Sequence, residues 1–173
     1  MLEIRYATES DKPFWFSLDK HLGEDEFARK TRDRRGYIIS NGGKPIGIMR
    51  YNLFWDNTPF LTLIYIEETE QRQGFGRQAM LHWEGEMRGL GYKMVMTSTQ
   101  TDEQAQHFYR KLGYVDSGCL VLYGTPFEQP LEIFMIKVLY AAESHTRAGQ
   151  TRLSANLPYK EPQPLVAVDT GGR

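Results

Sequence analysis

A chain of 173 residues, 40% apolar and 13% aromatic, is long enough to bury one ordinary core and too short for several domains. Its formal net charge of −1, with 25% charged residues, excludes a general nucleic-acid or other polyanion binder, which would be strongly basic. One cysteine, Cys119, rules out an intrachain disulfide and a thiolate metal cage, and no apolar run approaches the roughly 20 residues of a bilayer-spanning helix.

The opening "MLEIRYATESDKPFWF" lacks the basic-then-apolar order of a signal peptide, so a cytoplasmic protein without membrane attachment is expected. "LEIRYA" reads as a first strand, and "TESDKPFWFSLDKHL" as a helix with Pro13 near its first turn. "GEDEFARKTRDRRG" is a second, very polar helix or loop, whose Arg29, Lys30, Arg32, Arg34 and Arg35 are nearly cancelled by Glu24, Asp25, Glu26 and Asp33. A solvated helix face is the expectation there, with a substrate-contacting lip as the sharper option. "YIISNGGKPIGIMRYNLFWDN" reads as a hairpin about Asn41-Gly42-Gly43-Lys44, because Asn-Gly is the strongest short hairpin signal. Trp15, Phe54 and Trp55 are expected in the core, with Trp55 also near enough to the hairpin edge to line a pocket. "TPFLTLIYIEE" carries no charge between Thr58 and Ile66 and reads as a strand buried on both faces.

A helix follows from Phe75, with Ala79, Trp83 and Met87 at successive four-residue spacings and Gly89 and Gly91 at its end. His82 and Glu86 read as an exposed polar stripe rather than a metal pair. "YKMVMTST" is the next strand, which makes a βαβ unit with parallel strands and a right-handed crossover. "TDEQAQHFYRKLGY" is a helix with a Thr101/Gln104 capping box, an inner face of Ala105, Phe108 and Leu112, and a stop at Gly113. "YVDSGCLVLYG" and "LEIFMIKVLY" close the sheet. One domain is therefore expected over 1–140. Residues 141–173 are polar and rich in Gly, Pro, Ser and Thr, and read as a flexible tail, or as a docking arm through Leu153, Leu157, Leu165 and Val166.

The segment "EETEQRQGFGRQAM" poses the functional question. The first N–H groups of a helix lack intrahelical partners and sit at the positive end of its dipole. Glycine at 74 and 76 lets a phosphate approach that backbone, and Arg72 and Arg77 add charge. An ordinary tight loop would carry the same glycines. The spelling lacks the Gly-Lys-Ser/Thr of a P-loop. A dinucleotide fingerprint could use Ala79 as its third small residue, but nothing acidic lies between Glu86 and Asp102 to hold a ribose.

Gln71-Arg72-Gln73-Gly74-Phe75-Gly76 resembles the Gln/Arg-x-x-Gly-x-Gly/Ala signature of the GNAT N-acetyltransferase superfamily. The likeness extends over about residues 2–139, through the strand before the turn, the helix after it, and the later phrase Tyr109-Arg110-Lys111-Leu112-Gly113-Tyr114. It implies an α/β (α+β) fold: a mixed, mostly antiparallel twisted sheet of about six to seven strands, a central parallel βαβ unit and about four helices. It implies acetyl-CoA as acyl donor, with no metal. The pantetheine arm would lie between Leu63–Glu67 and Val95–Ser98, paired with main chain near Ile66 and Glu68. The pyrophosphate would sit on the amides of Gln71, Arg72, Gln73, Gly74, Phe75, Gly76 and Arg77. Where the family often has an asparagine opening the later helix, this chain has Asp102.

By the same resemblance Tyr109 touches the thioester and protonates the leaving thiolate, a role suited to an acid with an ordinary pKa near 10. The N–H of Ile66 is the implied oxyanion donor. Glu67 or Glu68 is a general-base candidate, as is Asp56, and binding of the neutral amine fraction would need no base. Cys119 has no adjacent histidine to activate it as a nucleophile. The expected reaction is direct acetyl transfer, in a ternary complex, to a primary amine on a small molecule or peptide. A non-catalytic acyl-CoA-binding or regulatory module is the alternative. A homodimer joined at edge strands near the C-terminus is a further expectation.

Overall fold

The computed structural model describes residues 1–139. The polar stretch expected as a tail or docking arm over 141–173 lies outside the described residues. Seven strands form one sheet: β1 Leu2–Tyr6, β2 Gly36–Asn41, β3 Lys44–Phe54, β4 Thr58–Ile66, β5 Met94–Gln100, β6 Val115–Leu120 and β7 Glu132–Val138. Their spatial order is β1-β2-β3-β4-β5-β7-β6, antiparallel throughout except between β4 and β5. Four helices cover it: α1 Lys12–Leu18, α2 Glu24–Arg32, α3 Phe75–Gly89 and α4 Ala105–Lys111. This is the mixed, mostly antiparallel architecture expected from the sequence.

Local chemistry explains the elements. Gly42 and Gly43 both take positive φ, +57° and +82°, as a two-residue hairpin turn matched to the strand twist requires. Ala79, Trp83 and Met87 sit on the buried stripe of α3, joined by Met80 in the adjoining row. Gly91 follows at φ +90°, a left-handed stop that a β-carbon would disfavour. One sheet face packs on α3 and α4 through Tyr37, Met49, Leu61, Trp83 and Met135. The other packs on α1 and α2 through Trp15, Phe27, Ile38 and Ile48. The side chains of β7 alternate between these faces: Ile133 and Met135 join the α3/α4 core, so Glu132 and Phe134 point the other way.

Several sequence expectations change on contact with tertiary packing. Trp55 is not core; it is 76% exposed in the β3–β4 turn, at φ +51°, with its ring 4.6 Å from that of Phe54. The charge-dense run over α2 is not wholly solvated. Lys30 is only 2% exposed, and its ammonium donates to the carbonyl of Tyr51 at 3.0 Å and to the side chain of Asn52. Burial holds the Lys30 pKa below its ordinary value. Glu86 is not part of an exposed stripe either, because it accepts a hydrogen bond from the Tyr6 hydroxyl of β1. Helix α4 has no Thr101 cap: its N-cap is Gln104, without a side-chain cap bond, and Glu103 instead accepts from the Thr99 hydroxyl at 2.6 Å. Nor is β4 buried on both faces along its length; Thr62 through Tyr65 are only half-buried.

Two residues of the scaffold carry sharp predictions. A β-carbon on Gly47 of β3 would stand 2.5 Å from the Tyr65 carbonyl oxygen and 2.7 Å from Ile66 Cδ1. Gly47→Ala must therefore push the C-terminal half of β4 away, and we expect a loss of about 2 kcal/mol in denaturant unfolding. An unchanged midpoint would refute the close approach. Asp11 accepts both Arg5 Nη atoms, at 2.6 and 2.7 Å, and the Thr8 amide and hydroxyl, each at 2.8 Å. The Arg5 guanidinium, chiefly, holds its carboxyl down to about 2. Its folded pKa lies below its unfolded value, so the unfolded chain binds more protons as the solution is acidified, and stability falls. The advantage of wild type over Asp11→Asn should be about 1 kcal/mol above pH 5, after screening of the half-exposed arginine, and should vanish between about pH 4 and pH 2. Unfolding curves across that range test it.

Candidate functional site

The site begins with a fault in the sheet. Arg50 pairs with Leu63, but Tyr51 pairs with Leu61, which leaves Thr62 as an extra residue in β4. Such a bulge bends its strand and increases its twist. Arg50 secures it, donating to the Thr62 hydroxyl at 2.8 Å while its carbonyl accepts from that hydroxyl at 3.2 Å. Asp19 in turn accepts from Arg50 Nε at 2.7 Å. The parallel ladder between β4 and β5 is correspondingly short: Phe60 pairs with Met96, Leu61 with Thr97, and there it stops. Past that point the two strands diverge.

The divergence bares main chain. The Glu67 amide donates to the Ile46 carbonyl of β3 at 2.8 Å. By strand alternation the N–H groups of Ile64 and Ile66 point the opposite way, toward the departed β5. The Gln71 side chain ties the following turn back to β4, donating to the Ile66 carbonyl at 2.8 Å.

The turn then exposes a second set of donors. Arg72 and Gly74 both adopt left-handed backbone, at φ +60° and +85°. For arginine this conformation costs about 1–2 kcal/mol, so the surrounding turn must enforce it. Gly74 is the N-cap of α3, with no side-chain cap bond, and its carbonyl accepts the first helical hydrogen bond from Gln78 at 3.1 Å. The amides of Phe75, Gly76 and Arg77 consequently have no intrahelical acceptor. No acidic residue stands in the first turn of α3 to compete for them.

These two features share one cleft of about 580 Å³. Ile64 and Ile66 form one wall, the turn Gln71–Arg72 and Gly74–Arg77 a second, and Gln104, Ala105, Phe108 and Tyr109 of α4 the third. Tyr109 is 6% exposed. Burial raises its pKa above the ordinary 10, against a smaller opposing effect of the Thr97 hydroxyl, so it keeps its proton at neutral pH. A smaller cleft of about 320 Å³ lies between the diverging strands and shares Ile64, Ala105 and Tyr109 with the first. Tyr109 thus stands where the two meet.

The structure brings together many of the residues singled out from the sequence. Ile66, Gln71, Arg72, Gly74, Phe75, Gly76, Arg77 and Tyr109 all line the larger cleft. Others stand apart from it. Gln73 turns its amide toward the Thr69 carbonyl at 3.4 Å. Glu67 pairs loosely with Lys44 at 3.8 Å, and Glu68 and Asp102 are exposed outside both clefts. Sequence reasoning missed Glu70 and Gln104 as lining residues, and placed Ala105 and Phe108 in the core. The last two were within reach, because 105, 108 and 109 fall on one helical face.

Known proteins share this family and this fold. A model of the Acetyltransferase (GNAT) family matches residues 3–114. Among solved structures, the ribosomal-protein-S18-alanine N-acetyltransferase of Escherichia coli superposes with a TM-score of 0.69 at 20% identity, covering 86% of this chain and 100% of its own. The ribosomal-protein-alanine N-acetyltransferase of Brucella melitensis gives a TM-score of 0.67 at 20% identity, covering 79% and 99%. A GNAT family acetyltransferase from Elizabethkingia anophelis, solved with acetyl-CoA bound, gives 0.64 at 16% identity, covering 80% and 98%. Comparison with curated proteins finds no match. With the family model spanning well over half its length, and the same fold in the solved relatives, the chain belongs to the GNAT acetyltransferase family.

Proposed function

We propose that this protein is an acetyl-CoA-dependent N-acetyltransferase that moves an acetyl group directly to a primary amine within a ternary complex. The observation that carries the reading is a single cleft joining three things: the unpaired edge of β4, the uncapped N-terminus of α3, and a buried tyrosine. The residues present fit the cofactor. Open amides at 75–77 and the cations Arg72 and Arg77 suit a diphosphate. The unpaired N–H of Ile66 suits an amide of a pantetheine arm, in the manner of an added strand. When bound, acetyl-CoA supplies an activated thioester.

The protein's own groups then have plain tasks. The Ile64 N–H, turned away from β3 at the junction of the two clefts with Tyr109, is the donor for the charge that grows on the carbonyl oxygen, in place of the Ile66 N–H implied by the resemblance. The amine nitrogen forms a bond to the carbonyl carbon as the carbon–sulfur bond breaks. The nitrogen loses one proton to water, and Tyr109 gives its hydroxyl proton to the leaving sulfur and is reprotonated from solvent. Glu67 and Glu68 stand outside both clefts, and in this reading the amine reacts as its neutral fraction.

Acetyl-CoA should raise the melting temperature, and free thiol should appear with at least one member of a broad amine panel. Stabilisation without thiol release from any amine would instead identify a non-catalytic acyl-CoA-binding module. Absence of both effects would remove the acetyl-CoA reading altogether.

A further inference from the structure

The two clefts differ in charge. Arg72 and Arg77 against Glu70 leave the larger one net positive. The smaller holds Glu103 and Glu132, and no Lys, Arg or His lines it among the described residues. Arg50, which donates to the hydroxyl of the lining residue Thr62 at 2.8 Å, is already paired with Asp19 at 2.7 Å. Opposite charges at the two ends of one continuous space sort ligands by charge, an anionic one to the first cleft and a cationic one to the second.

Position sharpens this. Glu132 lies on the sheet face opposite α3 and α4, so the smaller cleft runs through the gap between β4 and β5 from one face to the other. Glu132 is half-buried, and its Oε2 accepts from Gln129 Nε2 at 2.9 Å, which holds the carboxylate in place. On the same face Phe54, Phe60 and Phe134 form an aromatic row, 6.0 and 5.9 Å between successive ring centroids, outside the lining of the cleft. The carboxylates are not merely a surface cluster. Buried Thr97, Thr99 and Tyr109 also line the cleft, and Tyr109, more than nine-tenths buried, belongs to both clefts.

We infer that the smaller cleft is the acceptor subsite, and that its acceptor is a dication: a diamine, polyamine or similar molecule bearing a second positive charge on an alkyl chain, held by Glu132 while the reacting amine lies at Tyr109. This rests on the acetyl-transfer reading above. The reacting nitrogen must arrive neutral, so it gains little from two carboxylates, whereas a second amine, protonated at neutral pH, is held by them. Glu103, across the cleft, adds to the same attraction.

The matched pair 1,4-diaminobutane and n-butylamine tests the inference on the full chain. The diamine should show a KM about tenfold lower, the effect of one charge-assisted contact at a partly exposed site. Glu132→Gln, which retains the shape and the Gln129 contact, should bring the two KM values within about twofold, and rising salt should narrow the gap in wild type. A gap that survives Glu132→Gln, or equal use of both amines by wild type, overturns the inference. Calorimetry of 1,4-diaminobutane with the CoA-saturated and the CoA-free protein gives a readout independent of turnover. Diamine binding that Glu132→Gln leaves intact sinks the acceptor assignment while stabilisation by acetyl-CoA still upholds the cofactor site. Diamine binding that Glu132→Gln weakens, in a protein that acetyl-CoA fails to stabilise, upholds the dication subsite and sinks the cofactor reading instead.

Discussion

Tyr109→Phe should lower kcat by about 100-fold and leave acetyl-CoA affinity within about twofold of wild type. The substitution removes one oxygen and nothing else that the fold uses. The ring packs between Phe108, at 5.3 Å, and Tyr114, at 5.6 Å, and both contacts survive in phenylalanine. Thr97, the hydroxyl neighbour, keeps its bond to the Leu61 carbonyl at 3.2 Å. The melting temperature should therefore move little, which separates a chemical loss from a structural one. Burial also raises the Tyr109 pKa, so its proton is retained through neutral pH. The wild-type enzyme should accordingly show no fall in kcat from loss of this proton below about pH 10. Single-turnover thiol release against pH reads both effects. Turnover in Tyr109→Phe equal to wild type would remove the hydroxyl from the reaction and leave the sulfur to depart unassisted.

The parts of this fold that were legible in the sequence are those set by local rules. Asn41-Gly42-Gly43-Lys44 announces its turn through conformations that glycine alone adopts freely, and it forms as expected. The four-residue spacing from Phe75 to Met87 announces a helix with one buried face, and α3 buries Ala79, Trp83 and Met87. What local rules cannot see is what lies opposite. Glu86 has the look of a solvent-facing residue until the Tyr6 hydroxyl, eighty positions away, meets it. Lys30 sits in a run of charges, yet the carbonyl of Tyr51 and the side chain of Asn52 offer its ammonium a buried berth. Trp55, apolar and beside Phe54, reads as core, but the turn places it in solvent.

The candidate site divides along the same line. Its glycine turn is contiguous in sequence and could be read from Gln71 to Arg77. The smaller cleft is assembled from β4, β5, α4 and β7, and Glu132 carries no motif. Even the strand gap that opens the cleft depends on a single unpaired residue, Thr62, which no periodicity reveals.

Gly74 and Gly76 look alike in sequence, and the structure predicts opposite consequences for replacing them. Gly74 stands at φ +85°, with the nearest foreign atom, Gln78 Nε2, 4.0 Å from a built β-carbon. Its requirement is conformational, so Gly74→Ala should cost about 1 kcal/mol of stability through backbone strain. Gly76 lies within α3, outside the left-handed region, and a β-carbon there would meet only the Phe108 ring, at 3.6 and 3.8 Å. Those are ordinary contacts, so the fold itself does not demand glycine at this position. The added carbon would instead lie beside Phe108 in the wall of the larger cleft, over amides that have no other acceptor. A ligand that needs close approach to the backbone explains the glycine where packing does not. Gly76→Ala should keep or slightly raise the melting temperature, since alanine is the better helix former, and should weaken acetyl-CoA binding about tenfold. Gly76→Val, with two further methyl groups in the same space, should weaken it about 100-fold, a cost of close to 3 kcal/mol. Calorimetric titration of both variants alongside thermal melts decides the matter. If Gly76→Val binds acetyl-CoA as wild type does, the diphosphate does not rest on the first turn of α3, and the arginines at 72 and 77 serve some other anion or none.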